Sequence, residues 1–215
     1  MDEEVLRVVD ADKPAFEEAR LAVDVVCAGD SITGWNNFGS VWNWPYPTYP
    51  EFLQDLCRPL ELRVVDGGIA GELSEYGLAH VKRYLGMFPN SRIFVIGFGT
   101  NDLGTWPDLE RTSREVIHNL DGMVTAVREA EKQTILFNIP PVREGSFPPT
   151  MVDDARRKRD YHNGRLREYC QQGNVPLVDI HCCLHDEHFG DELHPNRTGA
   201  EIIAGAVFET LRSIM

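Results

Sequence analysis

The stretch Val25-Val26-Cys27-Ala28-Gly29-Asp30-Ser31-Ile32-Thr33 limits the possible folds most tightly. Its first half is short, apolar and stopped by a glycine, as expected of a central parallel strand buried on both faces. A polar turn follows at once. In open α/β sheets the position just past a strand carboxyl end lies in the crevice where ligands bind. On this stretch alone, the plainer reading is that Asp30 and Ser31 cap a following helix. Residues far along the chain decide between the two.

The rest of the chain repeats the pattern. Helices are predicted over Glu51–Cys57, Leu73–Leu85, Asp108–Glu131, Val152–Gln172 and Gly199–Met215, with Thr198 and Glu201 offering a capping box to the last. Between them, strands are predicted over Leu60–Val65, Arg92–Phe98, Thr134–Ile139 and Val175–Ile180. This β-α-β-α alternation implies a parallel sheet covered on both faces. Residues 1–22, with a short strand at Val5–Val9 and a helical turn or two over Pro14–Arg20, read as an N-terminal extension packed on a domain spanning 23–215. The basic run Arg156-Arg157-Lys158-Arg159 follows Asp153-Asp154 and reads as a solvated helix face.

A chain of 215 residues suits one domain with a full-sized core. The net charge of −13 repels phosphate backbones and anionic membranes, which argues against a nucleic-acid or membrane partner. No apolar run approaches the roughly 18–20 residues of a membrane span. Met1-Asp2-Glu3-Glu4 lacks the apolar core of a signal peptide, so the chain as written reads as cytoplasmic. A secreted protein whose leader had been removed would read the same. The five cysteines are odd in number and form no Cys-x-x-Cys, so a disulfide framework is not expected, and Cys27 reads as a small buried hydrophobe.

In a parallel sheet all strand carboxyl ends share one edge. Three polar or glycine-rich turns converge there, Gly29-Asp30-Ser31, Gly68-Ile69-Ala70-Gly71 and Gly99-Thr100-Asn101-Asp102, together with the segment Asp191-Glu192-Leu193-His194. A serine hydroxyl is a poor nucleophile without an adjacent base. His194 can be that base, and Asp191 can accept its other ring N–H and fix the tautomer. A glycine N–H and an asparagine amide can face a developing oxyanion. The set suffices for acyl transfer through a serine ester. Taken singly, His194 could simply start a helix, Asn101 and Asp102 could form a turn, and Gly71 could be there only for positive φ.

The four segments, in this order, resemble the motifs of SGNH hydrolases of the GDSL esterase/lipase superfamily. Gly29-Asp30-Ser31-Ile32-Thr33 matches the first, with Ile in place of the name-giving Leu. Asp66-Gly67-Gly68-Ile69-Ala70-Gly71 matches the second, departing at Asp66 and Ala70, where family members often have Asn and Ser. Gly99-Thr100-Asn101-Asp102 and Asp191-Glu192-Leu193-His194-Pro195 match the third and last. The resemblance spans about residues 23–212. It implies a flavodoxin-like three-layer α/β/α sandwich around a parallel sheet of about five strands. It also implies a carboxylic ester hydrolase (EC 3.1.1.-) that needs no cofactor. Ser31 would be the nucleophile, His194 the base and Asp191 its partner, with the Ser31 and Gly71 N–H groups and the Asn101 side chain as oxyanion donors.

Residues 34–50 crowd Trp35, Phe38, Trp42, Trp44, Tyr46 and Tyr49 among three prolines, which forbid a long helix. The rings either form a satellite core or wall a pocket beside Ser31. The second reading makes Trp35, Phe38, Trp42 and Trp44 candidate substrate contacts and suits small-acyl esters or O-acetylated carbohydrates. Three other readings compete. An acyltransferase would use the same residues. A non-catalytic module could hold a ligand on the aromatic loop. The cluster Asp179, His181, Cys182, Cys183, His185 and His188, although its spacing fits no tight structural-zinc pattern, could make the protein metal-dependent.

Overall fold

The computed structural model describes residues 18–34, 44–145 and 148–215. The expected strand at Val5–Val9 and most of the Pro14–Arg20 turn lie outside them. Residues 18–22 sit at the far end of the second helix, where Arg20 donates to the Met87 carbonyl (3.2 Å) and Asn90 donates to that of Leu21 (2.9 Å).

Five strands form one parallel sheet: β1 (Val25–Gly29), β2 (Val64–Gly68), β3 (Ile93–Gly97), β4 (Gln133–Phe137) and β5 (Leu177–Val178), in the order β2-β1-β3-β4-β5. The chain leaves β1 toward β2 on one side and returns to β3 on the other. The carboxyl end of β1 is therefore a topological switch point, where such sheets form their crevice.

The main helices are α1 (Tyr49–Cys57), α2 (Ser74–Met87), α3 (Leu109–Glu129) and α4 (Pro149–Gly173), followed by a short α5 (Ile180–Cys183) and α6 (Arg197–Ile214). Strand side chains alternate between faces. Val25, Cys27, Ile93, Val95, Ile135 and Phe137 pack with Tyr49 and Leu53 of α1 and Ile203 and Val207 of α6. Val26, Ala28, Phe94, Ile96 and Leu136 pack on the opposite face with α2, α3 and α4, through Val81, Leu120, Val124 and Leu166. The expected three-layer α/β/α sandwich is thus the observed fold. Cys27 is fully buried, and all five cysteines are free thiols.

Several expected boundaries move, each for a physical reason. The strand expected over Leu60–Val65 begins only at Val64, because Arg58–Leu60 form a 3-10 turn that has Pro59 at its centre and ends with Glu61 at φ 57°. It then runs through Gly68, so Asp66-Gly67-Gly68 belongs to the strand. The expected Val175–Ile180 strand shrinks to two residues, since Asp179 turns the chain by accepting the Cys182 amide and capping α5. Helix α6 is capped by Asn196, which accepts the Gly199 amide (3.1 Å), and not by a Thr198–Glu201 box. Glu201 pairs instead with Arg197 (3.2 Å). The run Arg156–Arg159 is not wholly a solvated face, because Lys158 and Arg159 are buried. Lys158 donates to the Leu103 and Trp106 carbonyls and pairs with Asp154 at 2.7 Å, which offsets the cost of burying its charge.

The turn after β1 is built on Asp30, which is 1 % exposed. Its Oδ1 accepts the Ile32 amide (3.0 Å), and its carbonyl accepts those of Thr33 (3.1 Å) and Gly34 (3.0 Å). Ser31 is held between them. Burial pushes the Asp30 carboxyl up to about 7, the Ile32 amide opposes this, and nearby Asp102 adds to it. The folded protein therefore holds a proton there that the unfolded chain has already lost. The stability this contributes is full below pH 4 and is lost as pH rises toward 7. Asp30→Asn keeps the acceptor without the charge. Measured by urea unfolding across this range, the wild type should lose stability relative to Asp30→Asn by up to about 1.4 kcal/mol per pH unit. A difference independent of pH contradicts the assignment.

Candidate active site

Four loops meet at the carboxyl edge of the sheet. The first carries Ser31, which is 7 % exposed. The second follows β2 and is tied to the first by the Ile69 amide, which donates to the Gly29 carbonyl (2.9 Å). A Cβ on Gly68 would meet the Gly34 backbone, so the two loops can approach only through glycine. Asp66, one of the two departures in this motif, accepts the Gly68 amide (2.9 Å) and the Thr48 hydroxyl (3.2 Å), so the turn is closed by a carboxylate. Gly71 stands at φ +79°, and among the described residues nothing beyond its chain neighbours lies within 4 Å of where its Cβ would be.

The third loop leaves β3 through Gly99 (φ +126°) into a 3-10 turn, Asn101–Gly104. Asn101 Nδ2 donates one hydrogen to the Glu72 carbonyl (2.9 Å), leaving its second for another acceptor. Asp102 is fully buried and serves as more than a turn former. It accepts the Ser74 amide (3.0 Å) and hydroxyl (2.7 Å) at the start of α2. Three hydrogen bonds thereby tie the third loop to the second loop and the start of α2.

The fourth loop is a tight reversal closed by a bridge between Phe189 and Pro195 and by the Gly190 amide donating to the His194 carbonyl (2.9 Å). Asp191 Oδ1 accepts the Leu193 (2.8 Å) and His194 (2.7 Å) amides. Its Oδ2 lies 2.7 Å from His194 Nδ1. Burial works against the charge on Asp191, yet the His194 ring and these two amides outweigh it and hold the carboxyl below its usual range. An imidazole facing a carboxylate through Nδ1 carries its proton there and presents the Nε2 lone pair outward. Nε2 lies 3.0 Å from Ser31 Oγ. Such a line can draw a proton from a hydroxyl.

Arg143, in the loop after β4, braces the reversal. Its amide donates to the Glu192 carbonyl (2.9 Å), and its guanidinium donates to that of Asp191 (3.2 Å) and lies over the Phe189 ring. The Trp44 ring lies 5.2 Å from that of His194 and meets Tyr46 edge-on. Trp35, Phe38 and Trp42 lie outside the described residues. A groove of about 310 Å³ runs from Asn101 between Leu103, Val142, Val152 and Leu193. Glu72 and Arg143 carry no sequence signal of their own, because one offers a backbone carbonyl to Asn101 and the other reaches the backbone carbonyl of Asp191.

In the Asp179–His188 cluster, one donor atom each from Asp179, His181 and Cys182 comes within 4.8 Å of the others. Asp179 is already engaged by Asn138 (2.7 Å), Arg167 (2.9 Å) and the Cys182 amide, and the guanidinium beside it opposes a cation. The segment is ordered in part as α5 and as a 3-10 turn at Asp186–His188.

Several solved structures share the fold. A carbohydrate acetylesterase from Sinorhizobium meliloti is 16% identical, with a TM-score of 0.76 and coverage of 90% of this chain and 100% of that one. The aryl esterase of M. smegmatis is 16% identical, with a TM-score of 0.74 and the same coverage. A lipase/acylhydrolase from Enterococcus faecalis is 20% identical, with a TM-score of 0.64 and coverage of 89% and 96%. No curated protein matches the sequence. Among the described residues no helix is long and apolar enough to cross a membrane. Residues 27–202 match the GDSL-like lipase/acylhydrolase family, and the chain belongs to that family of ester hydrolases.

Proposed function

We propose that the protein hydrolyses its ester through an acyl-serine intermediate, with Ser31 as nucleophile, His194 as general base and Asp191 as the carboxylate that orients the imidazole. The observation that carries this reading is the continuous hydrogen-bonded line from Asp191 Oδ2 through His194 to Ser31 Oγ, 2.7 Å and 3.0 Å in its two steps. As Ser31 Oγ bonds to the ester carbonyl carbon, its proton passes to His194 Nε2 and the carbonyl π electrons move onto oxygen. The Ser31 N–H, the Gly71 N–H and the second Asn101 Nδ2 hydrogen receive that oxyanion. Collapse expels the alcohol, which takes the proton from His194. Water then attacks the acyl-serine, His194 takes one of its protons and returns it to Ser31 Oγ, and the carboxylic acid leaves.

The substrate reading is a small-acyl ester or an O-acetylated carbohydrate. It is supported by the Trp44 ring beside His194, a surface on which a sugar can stack, and by the limited size of the groove at Asn101. The structural similarity to a carbohydrate acetylesterase is consistent with it.

Asn101→Ala should lower kcat by about 10²- to 10³-fold, the worth of one oxyanion donor, with a much smaller change in KM. Turnover near the wild-type level would contradict the assignment. Across p-nitrophenyl acetate, butyrate and dodecanoate, kcat/KM should be highest for the two short esters. A preference for dodecanoate would overturn the substrate reading.

A further inference from the structure

Glu72 lies outside the catalytic line, yet both loops that supply the oxyanion donors depend on it. It directly follows Gly71, and its amide closes the turn onto the Ile69 carbonyl (3.2 Å). Its carbonyl is the acceptor that orients Asn101 Nδ2 (2.9 Å). Its side chain is 9 % exposed, and Oε2 lies 2.7 Å from Nδ1 of His80 on α2. Helix α2 is itself fixed at two places. Its first residue, Ser74, is bonded to Asp102, and Tyr84 donates to the Gly67 carbonyl (2.8 Å) at the end of β2. The bonds close a ring: Asn101 to Glu72, Glu72 to His80, along α2 to Ser74, then to Asp102 and back to Asn101. The Glu72–His80 contact is the member of this ring that involves no residue of the four motifs.

Burying a carboxylate costs several kcal/mol unless it is paired, and an apolar residue would fill this position without that cost. Burial raises the Glu72 carboxyl above its usual range, and the bond to His80 counters it. The interaction is better explained by what it holds in place. Oxyanion donors act only from the right position, and a displacement of about 1 Å can cost roughly 10²-fold in rate.

We propose that the Glu72–His80 pair is a positioning device for the oxyanion hole, setting the Gly71 turn and the Asn101 amide at once through the Glu72 backbone. The proposal rests on the assignment of Gly71 and Asn101 as oxyanion donors. The pair stabilises the transition state by geometry and touches no substrate atom.

The test is a kinetic cycle on purified protein with p-nitrophenyl acetate. Glu72→Ala and His80→Ala should each lower kcat by about 10- to 100-fold with KM changed less than about threefold. The double variant should be no worse than the poorer single, because both remove one bond. Glu72→Gln, whose amide oxygen still accepts from His80, should keep most of the activity. In an Asn101→Ala background the effect of His80→Ala should shrink, whereas a purely structural role leaves it unchanged. If His80→Ala does not fold, His80→Phe keeps the ring near Tyr84 without the donor and carries the same test. Near-wild-type kcat in folded His80 variants, with Asn101→Ala still crippled, overturns the proposal alone. Near-wild-type kcat in Asn101→Ala as well overturns the oxyanion reading beneath it.

Discussion

A parallel sheet with both faces covered leaves polar chemistry one natural outlet, the edge where its strands end. In this protein every residue of β1 and β3 is buried, so neither strand can carry an exposed functional group along its length. The turns beyond them must do so. Because the chain reverses its direction of travel across the sheet at β1, the turn with Ser31 opens into the crevice between the loops that follow β2 and β3. The fourth loop, after β5, adds His194 from 163 residues further along the chain.

What holds four separate loops in register is a set of short polar ties, most of them to backbone. Ile69 bonds to Gly29, Asn101 to Glu72, Asp102 to Ser74 and Arg143 to Asp191 and Glu192. Each polar group is buried or half-buried, so each bond avoids a desolvation cost greater than the net gain of the bond itself. Removing one partner leaves the other buried and unsatisfied, so single substitutions among them are expected to cost stability as well as position. The family is one of ester hydrolases, and the proposed acyl-serine route follows from the donors and acceptors gathered at this edge.

The sheet, its five strands and the order of the motifs were legible because they depend on local pattern. Val25–Gly29 and Ile93–Gly97 are apolar at every position but the last, and Ile117, Leu120, Val124 and Val127 mark one face of α3. The failures share a cause. Whether Leu60 continues a strand, whether Asn196 or Thr198 caps α6, and whether Lys158 is solvated all depend on partners brought in by tertiary packing. Lys158 is the clearest case. Its charged neighbours suggest a solvated face, yet the Leu103 and Trp106 carbonyls that receive it belong to a loop more than 50 residues earlier. Within the site, Ser31, Asn101, Asp191 and His194 stood out by motif. Glu72 and Arg143 did not, because their contribution runs through main-chain carbonyls that any residue type offers.

The central claim is that Ser31 is activated by His194. Its most direct measurement is covalent labelling with a fluorophosphonate, read by intact mass, in the wild type and in Ser31→Ala and His194→Ala. The account predicts one adduct on the wild type, located at Ser31, none on Ser31→Ala, and labelling slowed by orders of magnitude in His194→Ala. No adduct on folded wild-type protein, or one that persists in Ser31→Ala, would contradict it.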